Sequence, residues 1–127
     1  MQRFDVSVSL KDGLRTTITA RDQVNHSDAL ASAGGLGVEP NPEELVLSAL
    51  GSCTAMTLAL YARRKGWALT GVDVAVSLAE GGIQRDVKVH GDLPQDQVER
   101  LLEIANKCPV HKMLTAPPPI ASTIARA

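Results

Sequence analysis

Residues 41–65 read Asn-Pro-Glu-Glu-Leu-Val-Leu-Ser-Ala-Leu-Gly-Ser-Cys-Thr-Ala-Met-Thr-Leu-Ala-Leu-Tyr-Ala-Arg-Arg-Lys, and their punctuation predicts one long helix. Asn41 suits the N-cap, and Pro42 suits the first helical position, where a missing N–H costs nothing. Glu43 and Glu44 place negative charge in the first turn, with Glu44 three residues past the cap as in a capping box. Arg63, Arg64 and Lys65 complement the dipole at the other end, and Gly66 supplies the stop. Residues 45–62 between them carry no charge. The reading is a central helix roughly 36 Å long, apolar on every face and buried, with Cys53 near its middle.

Eighteen uncharged residues reach the lower edge of the membrane-spanning range. The run also holds Ser48, Ser52, Thr54, Thr57 and Gly51, and strand-like segments surround it, so a buried helix of a soluble domain is the expectation. The 127-residue chain fits a single domain, 1–127. Its aromatic residues are Phe4, Tyr61 and Trp67, so the core must come from Val, Leu, Ile and Ala. So long an apolar helix is hard for a short chain to cover alone, which predicts a homodimer. A net charge of −1 and few stacking aromatics argue against nucleic acid as a partner. The N-terminal Met-Gln-Arg-Phe-Asp-Val lacks the apolar segment of a secretory signal, and the two cysteines read as free or redox-active thiols. The expected location is the cytoplasm, with no membrane partner.

Outward from the helix, residues 2–10 alternate, with Phe4, Val6, Val8 and Leu10 on one face of a half-buried strand. Asp12-Gly13 signals a hairpin, residues 14–20 a second strand, and Val24 to Leu30 a third. Residues 31–42, small and rich in Gly and Pro, form a loop. Beyond Gly66, residues 67–80 alternate again, Gly81-Gly82 turns, and Ile83 to His90 returns as a strand. Asp92 or Pro94 opens a second helix with Val98, Leu101, Leu102 and Ala105 at helical spacing, ending near Lys107. Cys108 then caps a short helical turn with Pro109 at its first position. Pro117 to Pro119 end that turn, and Ile120 to Ala125 form a last edge strand. The fold class is α+β, without the regular alternation of a doubly wound sheet.

Thiols carry the candidate chemistry. Cys53, in mid-helix, is either a small core residue or a nucleophile that needs a cation beside it. Cys108, at a helix start beside Lys107 and His111, has the setting of the more acidic thiol. Cys108-x-x-His111 is also half of a metal-binding spacing, but no second half follows and no metal is expected. His26 and His90 read as surface or core histidines. Glu43 lies ten residues before Cys53, nearly the same helix face but about 15 Å away along a straight helix. A phosphate-binding loop, a dinucleotide fingerprint and a Ser-His-Asp signature are all absent from the sequence.

Asn41-Pro42-Glu43-Glu44-Leu45 followed by Ala49-Leu50-Gly51-Ser52-Cys53-Thr54-Ala55 resembles the helix of the OsmC/Ohr family. Lys65-Gly66-Trp67 and Cys108-Pro109-Val110-His111-Lys112-Met113-Leu114 resemble its next landmarks. The resemblance runs from about Gly34 to the C-terminus. It implies an OsmC-like fold, an antiparallel sheet with a long central helix in an intertwined homodimer, with active sites at the subunit interface. It implies thiol-dependent reduction of organic hydroperoxides in oxidative stress defence. Cys53 would be the peroxidatic thiol and Cys108 the resolving one, the two meeting in a disulfide that an external dithiol or lipoyl-type reductant reopens. No cofactor is implied. Glu43 matches the acid that orients an arginine beside the thiolate. That arginine lies upstream of the Pro-Glu motif in the better-studied branches, whereas residues 26–40 here contain none, leaving Arg15 and Arg21 as the upstream candidates. The departure resembles the broader OsmC-like subgroup. A different class of function, a non-catalytic stress-associated domain binding a small apolar ligand at the dimer interface, follows from the same departure.

Overall fold

A computed structural model describes residues 3–127, in two compact units that meet within the central helix, one ending at Ser48 and the other spanning Ala49–Ala127. The helix, α1, runs Pro42–Lys65. Its start is the expected reciprocal capping box: Glu44 N–H donates to Asn41 Oδ1 at 2.8 Å, and Asn41 N–H to Glu44 Oε1 at 2.9 Å. Its end is a Schellman turn. Gly66, at φ 69°, donates to Arg63 O, and Trp67 N–H reaches back to Ala62 O at 2.9 Å.

In the first unit three short antiparallel strands lie in the order β1 (Ser7–Ser9), β2 (Thr16–Ala20), β3 (Gln23–Ser27). Ala20 pairs with Gln23 around a two-residue turn in which Arg21 takes a left-handed φ of 56°. The first strand is much shorter than the expected 2–10, whose Gln2 falls outside the described residues. Its apolar row of Phe4, Val6, Val8 and Leu10 is exposed rather than half-buried. The reason is size: so short a unit closes no core, and Val8, Leu14, Ile18, Pro42 and Leu45 line an open hollow of about 350 Å³. The loop before α1 contains one turn of 3-10 helix, Ala31–Ala33. Buried Asp28 organises it, its carboxylate accepting from the N–H groups of Ala29 at 2.8 Å and Leu36 at 3.1 Å.

In the second unit a long antiparallel hairpin, β4 (Leu69–Ala79) and β5 (Gly82–Gly91), pairs from Leu69↔Gly91 to Ala79↔Gly82. Helix α2 (Gln95–Ala105) follows with Pro94 at its N-cap, and a short α3 (Pro109–Thr115) with Cys108 at its N-cap. Leu58 of α1 joins Leu101, Ile104 and Ala105 of α2 in the core, with Tyr61, Trp67, Val72, Val87 and Val89 packed around them. The buried stripe of α1 is Leu50, Thr54, Leu58 and Ala62, spaced every four residues. Val46, Met56 and Leu60 are exposed. The expectation of a helix buried all round is therefore corrected to one buried stripe, because a single hairpin and a single helix cover only one side of this segment. The expected last strand is also corrected. Residues 116–127 form no strand, and Ile120 and Ile124 are 91% and 99% exposed.

Candidate functional site

α1 presents Cys53 and Thr54 side by side, and the turn from α2 into α3 presents Cys108 to them. Both cysteines are free thiols; Cys53 is half-buried and Cys108 fully buried. The Cys53 sulfur lies 4.0 Å from the Thr57 hydroxyl, one turn along the helix. The Cys108 sulfur accepts from His111 N–H at 3.3 Å, so the side chain closes the first turn of α3 as a cap. The two thiols are neighbours with opposed tendencies. Burial first of all holds the Cys53 thiol above its ordinary value of 9.0; the Val110 N–H opposes it, the nearness of Cys108 adds to it, and Thr57 opposes it least. Burial would raise Cys108 as well. The N–H of His111, the Cys53 thiol, the Thr54 hydroxyl and the N–H of Val110 outweigh it and bring Cys108 below 9.0. A Cys53 thiol donating toward a Cys108 thiolate is the arrangement these groups favour. Cys108 is thus the more acidic thiol, as its cap position predicts.

Thr54 is completely buried and joins the pair to the sheet. Its hydroxyl donates to Leu50 O at 2.7 Å, with the Cys108 sulfur at 4.0 Å as the other acceptor in reach. The same oxygen accepts from Arg85 of β5: Nη1 donates to Thr54 Oγ1 at 3.1 Å and to Ala105 O at 3.4 Å, and Nη2 to Asn106 Oδ1 at 2.8 Å. Sequence reasoning looked upstream for a cation and passed over this one. Ile83, Arg85, Val87 and Val89 share one face of β5, and an arginine within an apolar row was the available signal.

The upstream candidates have other places. Arg15 pairs with Glu39 at 3.0 Å, and Arg21 occupies the β2–β3 turn. Glu43 is exposed in the first turn of α1. His111 meets Cys108 through its backbone N–H, and no group of three His, Cys, Asp or Glu side chains placed to hold a metal ion occurs among the described residues. The ring of His26 lies 3.2 Å from Thr16 O, and that of His90 2.7 Å from Asp73.

A family model described as OsmC-like protein matches residues 34–123. No curated protein matches the chain. Among solved structures, the chain is similar to a candidate osmotic stress induced and detoxification response protein from Psychrobacter arcticus, at 20% identity and a TM-score of 0.76, covering 88% of this chain and 89% of the other. It is similar to an organic hydroperoxide resistance protein OsmC from Legionella pneumophila, at 20% identity and 0.61, covering 91% of each. A third is a candidate organic hydroperoxide resistance protein from Vibrio cholerae with captopril in one of its active sites, at 20% identity and 0.66, covering 92% and 87%. At these identities the likeness is one of fold.

Proposed function

The chain belongs to the OsmC-like protein family, and we propose that it is a thiol-dependent peroxidase that reduces organic hydroperoxides through Cys53 and Cys108 in oxidative stress defence. The observation that carries the proposal is the neighbouring pair of free thiols, one half-exposed and one buried, with their acidities pushed apart. Hydroperoxide resistance, the role for which proteins of similar fold are named, supports the substrate class.

In the proposed cycle the half-exposed Cys53 sulfur meets the peroxide. As it attacks the terminal oxygen, its proton passes to the Cys108 thiolate and the O–O bond breaks. Cys53 keeps the OH as a sulfenic acid, and the departing alkoxide takes a proton from water to become an alcohol. The Cys108 sulfur then displaces that OH, which leaves as water with the Cys108 proton, forming a Cys53–Cys108 disulfide. An external dithiol, of the lipoyl class, reopens the bond and is itself oxidised to a disulfide. Captopril is a thiol, and its presence in an active site of a similar fold is consistent with such a reductant. Glu43 enters as the acid that its motif match implies, orienting a cation at the site. The proposed assembly is a soluble cytoplasmic homodimer with the sites at the subunit interface.

Mass spectrometry of the alkylated protein before and after one equivalent of an organic hydroperoxide tests the cycle. Both thiols should be lost to one intramolecular disulfide. Cys53→Ser should abolish turnover while leaving a folded protein, and turnover that survives the change would remove Cys53 from its role.

A second reading, a non-catalytic domain that binds a small apolar ligand, is favoured by one observation. A groove of about 540 Å³ runs along α1, lined by Ala55, Met56, Ala59, Trp67, Leu69 and Val72 among others. Thiols that stay free in excess hydroperoxide, with an apolar compound retained through purification, would favour it over the peroxidase.

A further inference from the structure

Arg85 is a guanidinium on the apolar face of β5 whose hydrogen bonds all go to neutral oxygens, those of Thr54, Ala105 and Asn106. Among the described residues it forms no ion pair with a carboxylate. A half-buried cation with neutral partners alone gives up hydration without a countercharge, an unfavourable arrangement unless an anion forms nearby. Each of its contacts leads to Cys108. The Thr54 oxygen it bonds is 4.0 Å from the Cys108 sulfur. The Ala105 carbonyl that accepts from Nη1 also accepts from the Cys108 backbone N–H at 3.3 Å. Asn106 lies two residues before Cys108. Adding the two legs through Thr54 places Nη1 within about 7 Å of the sulfur.

We infer that Arg85 is a positioning residue that holds Cys108 ready as a thiolate, acting through the Thr54 hydroxyl and the C-terminal end of α2. Two effects combine. With an Arg85 N–H on its oxygen, Thr54 has that lone pair occupied and a single proton. That proton is given to Leu50 O at 2.7 Å and is free to turn toward the Cys108 sulfur at 4.0 Å once that sulfur is charged, which favours the charged form. The guanidinium also supplies positive charge in a partly desolvated setting, where it is screened less than at the surface. The titratable group that meets the sulfur from another element is Cys53 of α1; Lys107 and His111 flank Cys108 in its own segment, His111 reaching the sulfur through its backbone N–H. The inference deepens the peroxidase reading, since a thiolate at Cys108 accepts the Cys53 proton, and the same sulfur, passing that proton to the departing OH, later attacks the sulfenic acid.

The test titrates Cys108 alone, in a Cys53→Ser background, by the ultraviolet absorbance of the thiolate, with circular dichroism reporting the fold. Arg85→Gln keeps a polar side chain without charge and should raise the Cys108 midpoint by about one pH unit. At any pH below both midpoints, that is roughly a tenfold loss of thiolate. Arg85→Lys keeps the charge and should raise it by less than half as much. An unchanged midpoint with Gln, or a rise with Lys equal to that with Gln, would overturn the inference. Should the Arg85 variants fail to fold, the near-isosteric Thr54→Val decides: a raised midpoint supports the route through Thr54, and an unchanged one refutes it. No peroxide enters this titration. A protein that shows the shift but turns over no hydroperoxide would keep Arg85 in its role and refute the peroxidase reading instead.

Discussion

At the scale of single residues, each thiol lies among the groups that shift the other, so removing either member should move the other in a definite direction. Cys108 is among the groups that raise Cys53, so Cys108→Ser should lower the Cys53 midpoint. The Cys53 thiol is among the groups that lower Cys108, so Cys53→Ser should raise the Cys108 midpoint. Absorbance titration of the two variants checks both signs, and two midpoints that ignore each other would refute the pairing. The same shift has a stability consequence. A depressed thiol stabilises the fold above its unfolded value, and that contribution is lost as pH falls through the depressed folded value. Cys108→Ser should therefore cost more stability on the alkaline side than on the acid side, read as the change in urea midpoint. Both cysteines were legible in the sequence, and so was the greater acidity of Cys108, because a cap position followed by Pro109 is a local feature. Arg85 was not. Its importance comes from hairpin register and from the end of α2, some twenty residues further on, and local pattern carries neither.

At the scale of elements, α1 was legible to the residue because its caps are written in side chains: Asn41 and Glu44 at one end, Gly66 at the other. The hairpin β4–β5 was legible through alternation and Gly81-Gly82. The last strand was not, since its apolar residues alternate with polar ones as a strand would, yet Ile120 and Ile124 pack on nothing in this chain. A strand exists only where a neighbour supplies its hydrogen bonds, and sequence periodicity does not name the neighbour. Gly51 shows the opposite case, a helix residue chosen by its neighbour. A Cβ there would stand 3.4 Å from Val76 Cγ2 and 3.9 Å from Val74 Cβ. Gly51→Ala gains about 1 kcal/mol of helix propensity and spends it on that tight contact, so the net change should be within about 1 kcal/mol of zero. Gly51→Leu has no such room and should cost about 1–3 kcal/mol by forcing α1 off β4. Urea denaturation of the pair tests this, and a Leu variant as stable as the Ala variant would mean that β4 does not set the approach.

At the scale of the whole molecule, α1 carries more apolar surface than this chain covers. By length and composition it could cross a membrane, and 22% of its apolar window is buried. Met56 and Leu60 stand 64% and 55% exposed on a helix that continues past the thiol pair. Two occupants would relieve that exposure, a bilayer or a second copy of the chain. The spacing of Leu50, Thr54, Leu58 and Ala62 argues for the second copy. That stripe packs on a hairpin and a helix of the same chain, and it includes Thr54 and lies beside Cys53, Arg85 and Cys108, a polar cluster unsuited to hydrocarbon. The homodimer proposed above would cover that face. Light scattering at micromolar concentration should return twice the chain mass without detergent, and Leu60→Glu, which sets a charge on the uncovered face, should shift the population toward monomer by at least tenfold in dissociation constant. A monomeric native protein that stays soluble would refute the dimer, and one that needs detergent or sediments with lipid vesicles would assign the exposed face to a bilayer. If the active sites form at the subunit interface, hydroperoxide turnover should fall in step with dimer content as Leu60→Glu is diluted. Turnover that is independent of concentration would place the whole reaction within one chain.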